Sequence, residues 1–176
     1  AALELDKVPK SMLVIGGGVI GIEMATAYSA FGTKVTIVEA LPKILPLMDT
    51  ELSKMLKKSM QEKNIEILTG TKVLSVETTA LGAKVNVETE QGNKSFEAEK
   101  VLMAVGRRTY TESLDLAAAG IANDRGRITV TDKMQTNVEG IYAIGDCLGK
   151  VMLAHVASAQ GEVAAENIMG ANKQFN

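Results

Sequence analysis

The sequence predicts an α/β fold: a Rossmann-like three-layer domain whose parallel sheet carries an inserted antiparallel β-meander. Three observations predict it. A glycine-rich turn, Gly16-Gly17-Gly18-Val19-Ile20-Gly21, lies between a short apolar run and a helix-like segment, and a β-branched run at 34–38 then closes on Glu39. Between 72 and 97 the hydrophobic period changes to two, the signature of strands joined by turns. A wholly apolar run at 101–105 follows, as expected of a strand returning to a sheet that is covered on both faces.

Taken in order, residues 1–10 have no period and hold Pro9, so they read as a lead-in or linker. The first residue is Ala1, which points to a processed chain or an excised fragment. Residues 12–15 form the first strand, the helix follows the glycines, and 34–38 form the second strand. Pro42 and Pro46 exclude regular helix or a central strand over 40–47. Asp49 or Thr50 then caps a helix to about Lys63, with Leu52, Met55, Leu56 and Met60 on one face. A third strand at 65–68 is parallel to the first two, because a helix separates them. The meander comprises 72–78, 83–89 and 94–97, turning at Leu81-Gly82 and Gln91-Gly92-Asn93. Beyond the run at 101–105 the sequence predicts a short helix over 113–119 ended by Gly120, and a strand at 128–130. It then predicts an apolar strand at 140–144 leading into Gly145-Asp146, and an alanine-rich helix over 153–169 with Gly161 as a weak point.

A chain of 176 residues is one ordinary domain, or a domain with a piece of another. With no tryptophan and few aromatics the core must be aliphatic, and nine methionines help to fill it. A net charge of −2 without a run of lysine or arginine argues against nucleic-acid or membrane partners. The apolar runs are too short for a membrane span, and the N-terminus does not read as a signal peptide. A single cysteine, Cys147, allows no internal disulfide, so a reducing, cytoplasmic location is expected.

The glycine motif fits a dinucleotide. Gly16 permits a tight turn off the first strand, Gly18 lets backbone approach a pyrophosphate, and Gly21 lets the helix pack close to the strand. Amides at the helix start face the phosphates, and the helix dipole favours their charge. Glu39, 18 residues after Gly21, is placed to accept hydrogen bonds from the adenosine ribose. Its carboxylate would repel a 2′-phosphate, and no arginine lies among residues 40–44, so NAD is favoured over NADP.

GGGVIGIE, a meander, AVGRR, and IYAIGD followed by MLAH and a helix occur in that order. Together they resemble the flavoprotein pyridine nucleotide-disulfide oxidoreductases, and within that family the dihydrolipoamide dehydrogenases. The likeness covers essentially the whole chain. It implies a linker at 1–10, an NAD-binding domain at 11–139, and at 140–176 the incomplete C-terminal part of an FAD-binding domain. It also implies what is missing: the FAD fingerprint, the redox cysteine pair and the acid/base His-Glu pair. One thiol, Cys147, cannot replace a disulfide.

By resemblance, Gly16, Gly18 and Gly21 hold the NAD pyrophosphate and Glu39 the adenine ribose. Glu23 sits near the nicotinamide amide, although by its place alone it is a solvated helix-start carboxylate. Val73 packs against adenine, or is ordinary core. Gly106 admits the nicotinamide ribose. Arg107 is the member of the arginine pair with a role near the NAD–FAD boundary, and Arg108 reads as surface charge. Asp146 meets the ribityl and phosphate region of FAD, with the backbone of Leu153, Ala154 and His155 facing the flavin. Thr109-Tyr110 stands where the family carries a proline, which loosens that turn. No catalytic residue and no metal ligand is implied, and His155, the sole histidine, leaves little material for either.

The implied activity is oxidation of dihydrolipoamide through FAD, with hydride transfer to NAD. The implied partners are NAD(H), the missing FAD and dimerisation domains, and a 2-oxo acid dehydrogenase complex. Two other readings stay open. The chain is the NAD domain of another reductase, such as an NADH oxidase or a mercuric reductase. Or it is an inactive nucleotide-binding module that self-associates into a homo-oligomer through the apolar surface of 140–169.

Overall fold

In a computed structural model, which describes residues 2–176, the first strand, β1 (Ser11–Ile15), buries both of its faces. Alternation along it decides the layers. Met12 and Val14 join one core, and Leu13 and Ile15 join another. β1 lies inside a four-stranded parallel sheet of order β3-β2-β1-β7, with β2 at Lys34–Val38, β3 at Glu66–Leu68 and β7 at Lys100–Met103. The expected return of the apolar run to the sheet is therefore observed.

One face of the sheet is covered by helices α1 (Val19–Ala30) and α2 (Thr50–Glu62). Ile22, Ala25, Tyr28 and Met60 pack there on Met12, Val14, Val35 and Ile37. The other face carries the antiparallel meander β4 (Lys72–Thr79), β5 (Gly82–Thr89) and β6 (Gly92–Ala98). There Val85, Val87 and Ala98 meet Leu13, Ile15 and Val38. These are the three layers the sequence predicts.

Asp49 caps α2 as expected, but the helix presents a different face. Leu52 and Met55 are 56% and 64% exposed, and the inward stripe is Ser53, Leu56, Lys57 and Met60. A small residue at 53 lets the helix approach the proline loop, where the Ser53 hydroxyl donates to the Leu45 carbonyl at 3.4 Å, and Lys57 Nζ donates to Thr69 Oγ1 at 3.2 Å. Residues 2–10 are tied down: Pro9 is buried, Thr33 Oγ1 donates to its carbonyl at 2.8 Å, and the Tyr28 hydroxyl donates to the Ala2 carbonyl.

Packing divides the chain into two compact units, Ala1–Gly106 and Arg107–Asn176. The boundary follows Gly106, whereas the NAD-binding domain was expected to run to 139. Leu116, Ile128 and Met134 pack with Leu148, Val163 and Ala164 in a core of their own, so 107–139 is held with the C-terminal helix. That second unit contains the hairpin β8 (Asn123–Asp124) and β9 (Arg127–Ile128), and helix α3 (Ala154–Ile168). The helix expected at 113–119 shrinks to a 3₁₀ turn at Glu112–Leu114, because Asp115 takes a left-handed conformation (φ +44°) that ends it. The strand expected at 128–130 pairs only through Arg127 and Ile128. The one expected at 140–144 makes a single bridge, Gln135 to Tyr142. Its apolar composition was read correctly, but a strand needs a neighbour, and none among the described residues of this unit offers a ladder.

Candidate functional site

The glycines differ in what requires them. Gly16 has φ +112°, and a Cβ there would stand 2.3 Å from the Ala104 carbonyl oxygen. At Gly21 a Cβ would stand 2.1 Å from the Gly16 carbonyl oxygen, so this glycine is what lets α1 start against the turn. Gly17, which the motif leaves free, is also constrained: a Cβ would meet Ile44 Cγ2 at 3.0 Å and Glu39 Cβ at 3.1 Å. Three consecutive glycines where the motif demands two was the signal for it. Gly18 alone has no such reason. It is the α1 N-cap with ordinary φ −77° and ψ 179°, and a Cβ would find nothing within 4 Å.

No side chain caps α1, and no acidic residue lies in its first turn. The acid that approaches the turn is Glu39, only 8% exposed, and it braces the loop rather than the helix. Its Oε2 accepts from the Gly17 amide at 2.5 Å and its Oε1 from the Leu41 amide at 2.8 Å. The Gly17 carbonyl accepts from the Leu45 amide at 2.8 Å, so the proline loop 40–47 folds over the turn. Gly16, Gly17, Gly18, Gly21 and Glu39 thus form one cradle.

The other predicted residues are placed separately. Glu23 is exposed on α1 and makes no hydrogen bond or ion pair with the described residues. Val73 is half-buried and packs on the meander-side core. Gly106 is exposed, has φ +109°, and has open space where a Cβ would go.

In the second unit Arg107 and Asp146, predicted from separate motifs, are joined by an ion pair of 3.1 Å. Both are about half exposed, so the pair positions the side chains and adds little stability. Asp146 is aimed by Gly145, whose φ is +76° and whose amide donates to the buried Gln160 Oε1 at 2.7 Å. Gln160 was missed; its signal was an amide in the alanine-rich first half of the helix. Arg108 makes only a long, exposed pair with Glu112, 3.8 Å. The Cys147 thiol donates to the Ile144 carbonyl at 3.1 Å, and burial pushes its pKa above the usual thiol value. Less of it is thiolate at neutral pH than in a free thiol.

Residues 1–161 match the family model described as pyridine nucleotide-disulphide oxidoreductase. The chain belongs to that family. Among relatives, it is 46% identical over 171 residues to a dihydrolipoamide dehydrogenase of Chaetomium thermophilum, a match covering 95% of this chain and 34% of the relative. It is 42% identical over 179 residues to a dihydrolipoyl dehydrogenase of Thermus scotoductus, covering 99% of this chain and 39% of the relative. The solved structure of LpdA from Mycobacterium tuberculosis superposes with a TM-score of 0.88 at 32% identity, over 98% of this chain and 38% of that one. The chain therefore spans between a third and two fifths of the length of these oxidoreductases.

Proposed function

We propose that the Ala1–Gly106 unit is an NAD(H)-binding module of a flavoprotein dihydrolipoamide dehydrogenase, and that Arg107–Asn176 contributes one edge of its FAD site. The observation that carries the nucleotide reading is the contrast among the glycines. The fold itself requires Gly16 and Gly21 and crowds Gly17, but nothing among the described residues requires Gly18, at the mouth of an uncapped helix. A pyrophosphate laid across the α1 amides supplies the missing reason.

In this reading Gly16 and Gly21 shape the turn, Gly18 clears the approach, and the α1 amides bind phosphate oxygens. Glu39 uses two of its roughly four acceptor positions on its own loop, which leaves capacity for ribose hydroxyls. Held this way, the carboxylate has a fixed position and disfavours a 2′-phosphate. Val73 and Gly106 border the adenine and nicotinamide-ribose ends, and Glu23 lies toward the nicotinamide amide. Asp146, fixed by Gly145 and Arg107, faces the flavin side chain together with the backbone of Leu153, Ala154 and His155.

When bound, the nicotinamide and flavin supply the hydride chemistry; these residues bind and orient. In the whole enzyme the electrons originate in dihydrolipoamide and pass through an enzyme disulfide. With a single cysteine, which cannot form an intramolecular disulfide, this chain does not turn over a dithiol by itself. The 2-oxo acid dehydrogenase complex, a homo-oligomeric state through the FAD and dimerisation domains, and a cytoplasmic location belong to that whole enzyme.

Calorimetric titration of the chain with NADH, NADPH and FAD in parallel, with size-exclusion chromatography of the same sample, tests the reading. Saturable 1:1 binding of NADH with weaker or no binding of NADPH is expected. Failure to bind either nicotinamide nucleotide overturns it.

A further inference from the structure

The chain contains four arginines, Arg107, Arg108, Arg125 and Arg127, and all four line one cavity of about 530 Å³ in the Arg107–Asn176 unit. Lys150 adds a fifth cation, and Glu112 is the sole carboxylate in the lining. In a chain of net charge −2 this is a marked concentration of positive charge. The sequence conceals it, because the arginines come as two separated pairs that only the fold unites.

The cavity walls are built from defined local structure. The β8–β9 turn holds Arg125 in a left-handed conformation (φ +50°), closed by the Gly126 amide donating to Asn123 Oδ1 at 3.1 Å. The Thr111 hydroxyl ties that turn to the Arg107–Arg108 segment by donating to the Gly126 carbonyl at 2.8 Å. On the opposite side the Arg127 stem lies so close to Gly149 that a Cβ there would stand 2.7 Å from Arg127 Cγ. Gly149 therefore steers Arg127 along the wall.

Three arginines have carboxylate partners: Arg107 with Asp146 at 3.1 Å, Arg108 with Glu112 at 3.8 Å and Arg125 with Asp124 at 3.4 Å. Arg127 and Lys150 have no ion-pair partner among the described residues. Two uncompensated cations, with guanidinium forks alongside, match a phosphate ligand carrying two or more negative charges, since arginine binds phosphate oxygens two at a time. The cations converge on a concavity of small-ligand size instead of spreading over a face, which favours a small anion over an acidic protein surface. We infer that this cavity is a second anion site, independent of the Gly16–Gly21 cradle, and that it takes a diphosphate, either inorganic or borne by a nucleotide.

Titration of the full 176-residue chain with inorganic pyrophosphate, followed by calorimetry, tests this. One saturable equivalent is expected. Arg127→Gln and Lys150→Gln should each weaken it by about tenfold or more, as loss of a charge-assisted hydrogen bond implies. Arg127→Lys, which keeps stem and charge but loses the fork, should weaken it less. Lys150 is exposed, so its variant guards against a folding defect at Arg127. With the Gly16–Gly21 cradle filled by saturating NADH, that equivalent should persist. ADP binding more tightly than pyrophosphate would assign the site to a nucleotide, and equal binding to the inorganic ion; both uphold the proposal. It is overturned by absence of saturable binding, by wild-type affinity in both glutamine variants, by competition with NADH, or by displacement at lower concentration by a polyglutamate peptide.

Discussion

Two helices of the Ala1–Gly106 unit begin in opposite ways. α2 is finished by its own sequence: Asp49 Oδ1 accepts from the amides of Glu51 at 2.8 Å and Leu52 at 3.3 Å. α1 has glycine at its cap and no side chain on its first amides, while the nearby acid, Glu39, turns away to hold Gly17 and Leu41. A glycine at the cap forgoes roughly a few tenths of a kcal/mol that a serine or aspartate would supply, and it leaves the first amides of α1 without a side-chain partner. Capping for folding and opening for an anion are competing uses of one set of amides. The contrast marks α1 as the end kept for a ligand.

The largest effect is expected where the glycines serve the fold. Gly21→Ala drives a Cβ into the Gly16 carbonyl, so it should lower stability in urea titrations by about 1–3 kcal/mol or more and abolish NADH binding with it. Wild-type stability in that variant would break the distinction between structural and ligand glycines. Next comes Glu39→Gln, which exchanges the carboxylate for an amide with one acceptor oxygen. It leaves the Gly17 or Leu41 amide unpaired, costs about 1–3 kcal/mol, and relaxes the discrimination against NADPH, measurable by chemical denaturation and parallel titrations. Asp49→Ala sharpens the comparison from the other side. It should cost about 1 kcal/mol of stability and leave NADH affinity untouched, because the α2 cap faces no ligand.

The smallest effect concerns Cys147. Burial raises its pKa, so at neutral pH less thiolate is present than in a free thiol, and alkylation of the folded chain should be slower than that of the urea-unfolded chain. The gap should close as pH rises through the raised pKa. Equal rates at neutral pH would contradict the partial burial of this thiol.

Much of the first unit was legible because its signals are local. The apolar run of β1, the Asp49 cap and the glycine turns of the meander each act within a few residues. The face of α2 was misread because hydropathy favours Leu52 and Met55, whereas packing chose small Ser53 to let the helix approach the Pro42–Pro46 loop. The inward turn of Glu39 was not legible either, since it depends on that loop folding back over Gly17. In the second unit residues 140–144 have the composition of a strand but make a single bridge, Gln135 to Tyr142, among the described residues, and sequence composition does not report a ladder partner. The joining of Arg107 to Asp146, and of four arginines around one cavity, lies beyond any local pattern.

The account stands most directly on Gly18→Ala, followed by chemical denaturation and NADH titration of the same preparation. The expected result is a stability loss of no more than about 1 kcal/mol, because the new methyl group meets open space and only the helix cap worsens, together with a loss of NADH affinity of about tenfold or more. Unchanged affinity would mean that no pyrophosphate crosses the α1 start. A large loss of stability would mean that Gly18 serves the fold after all.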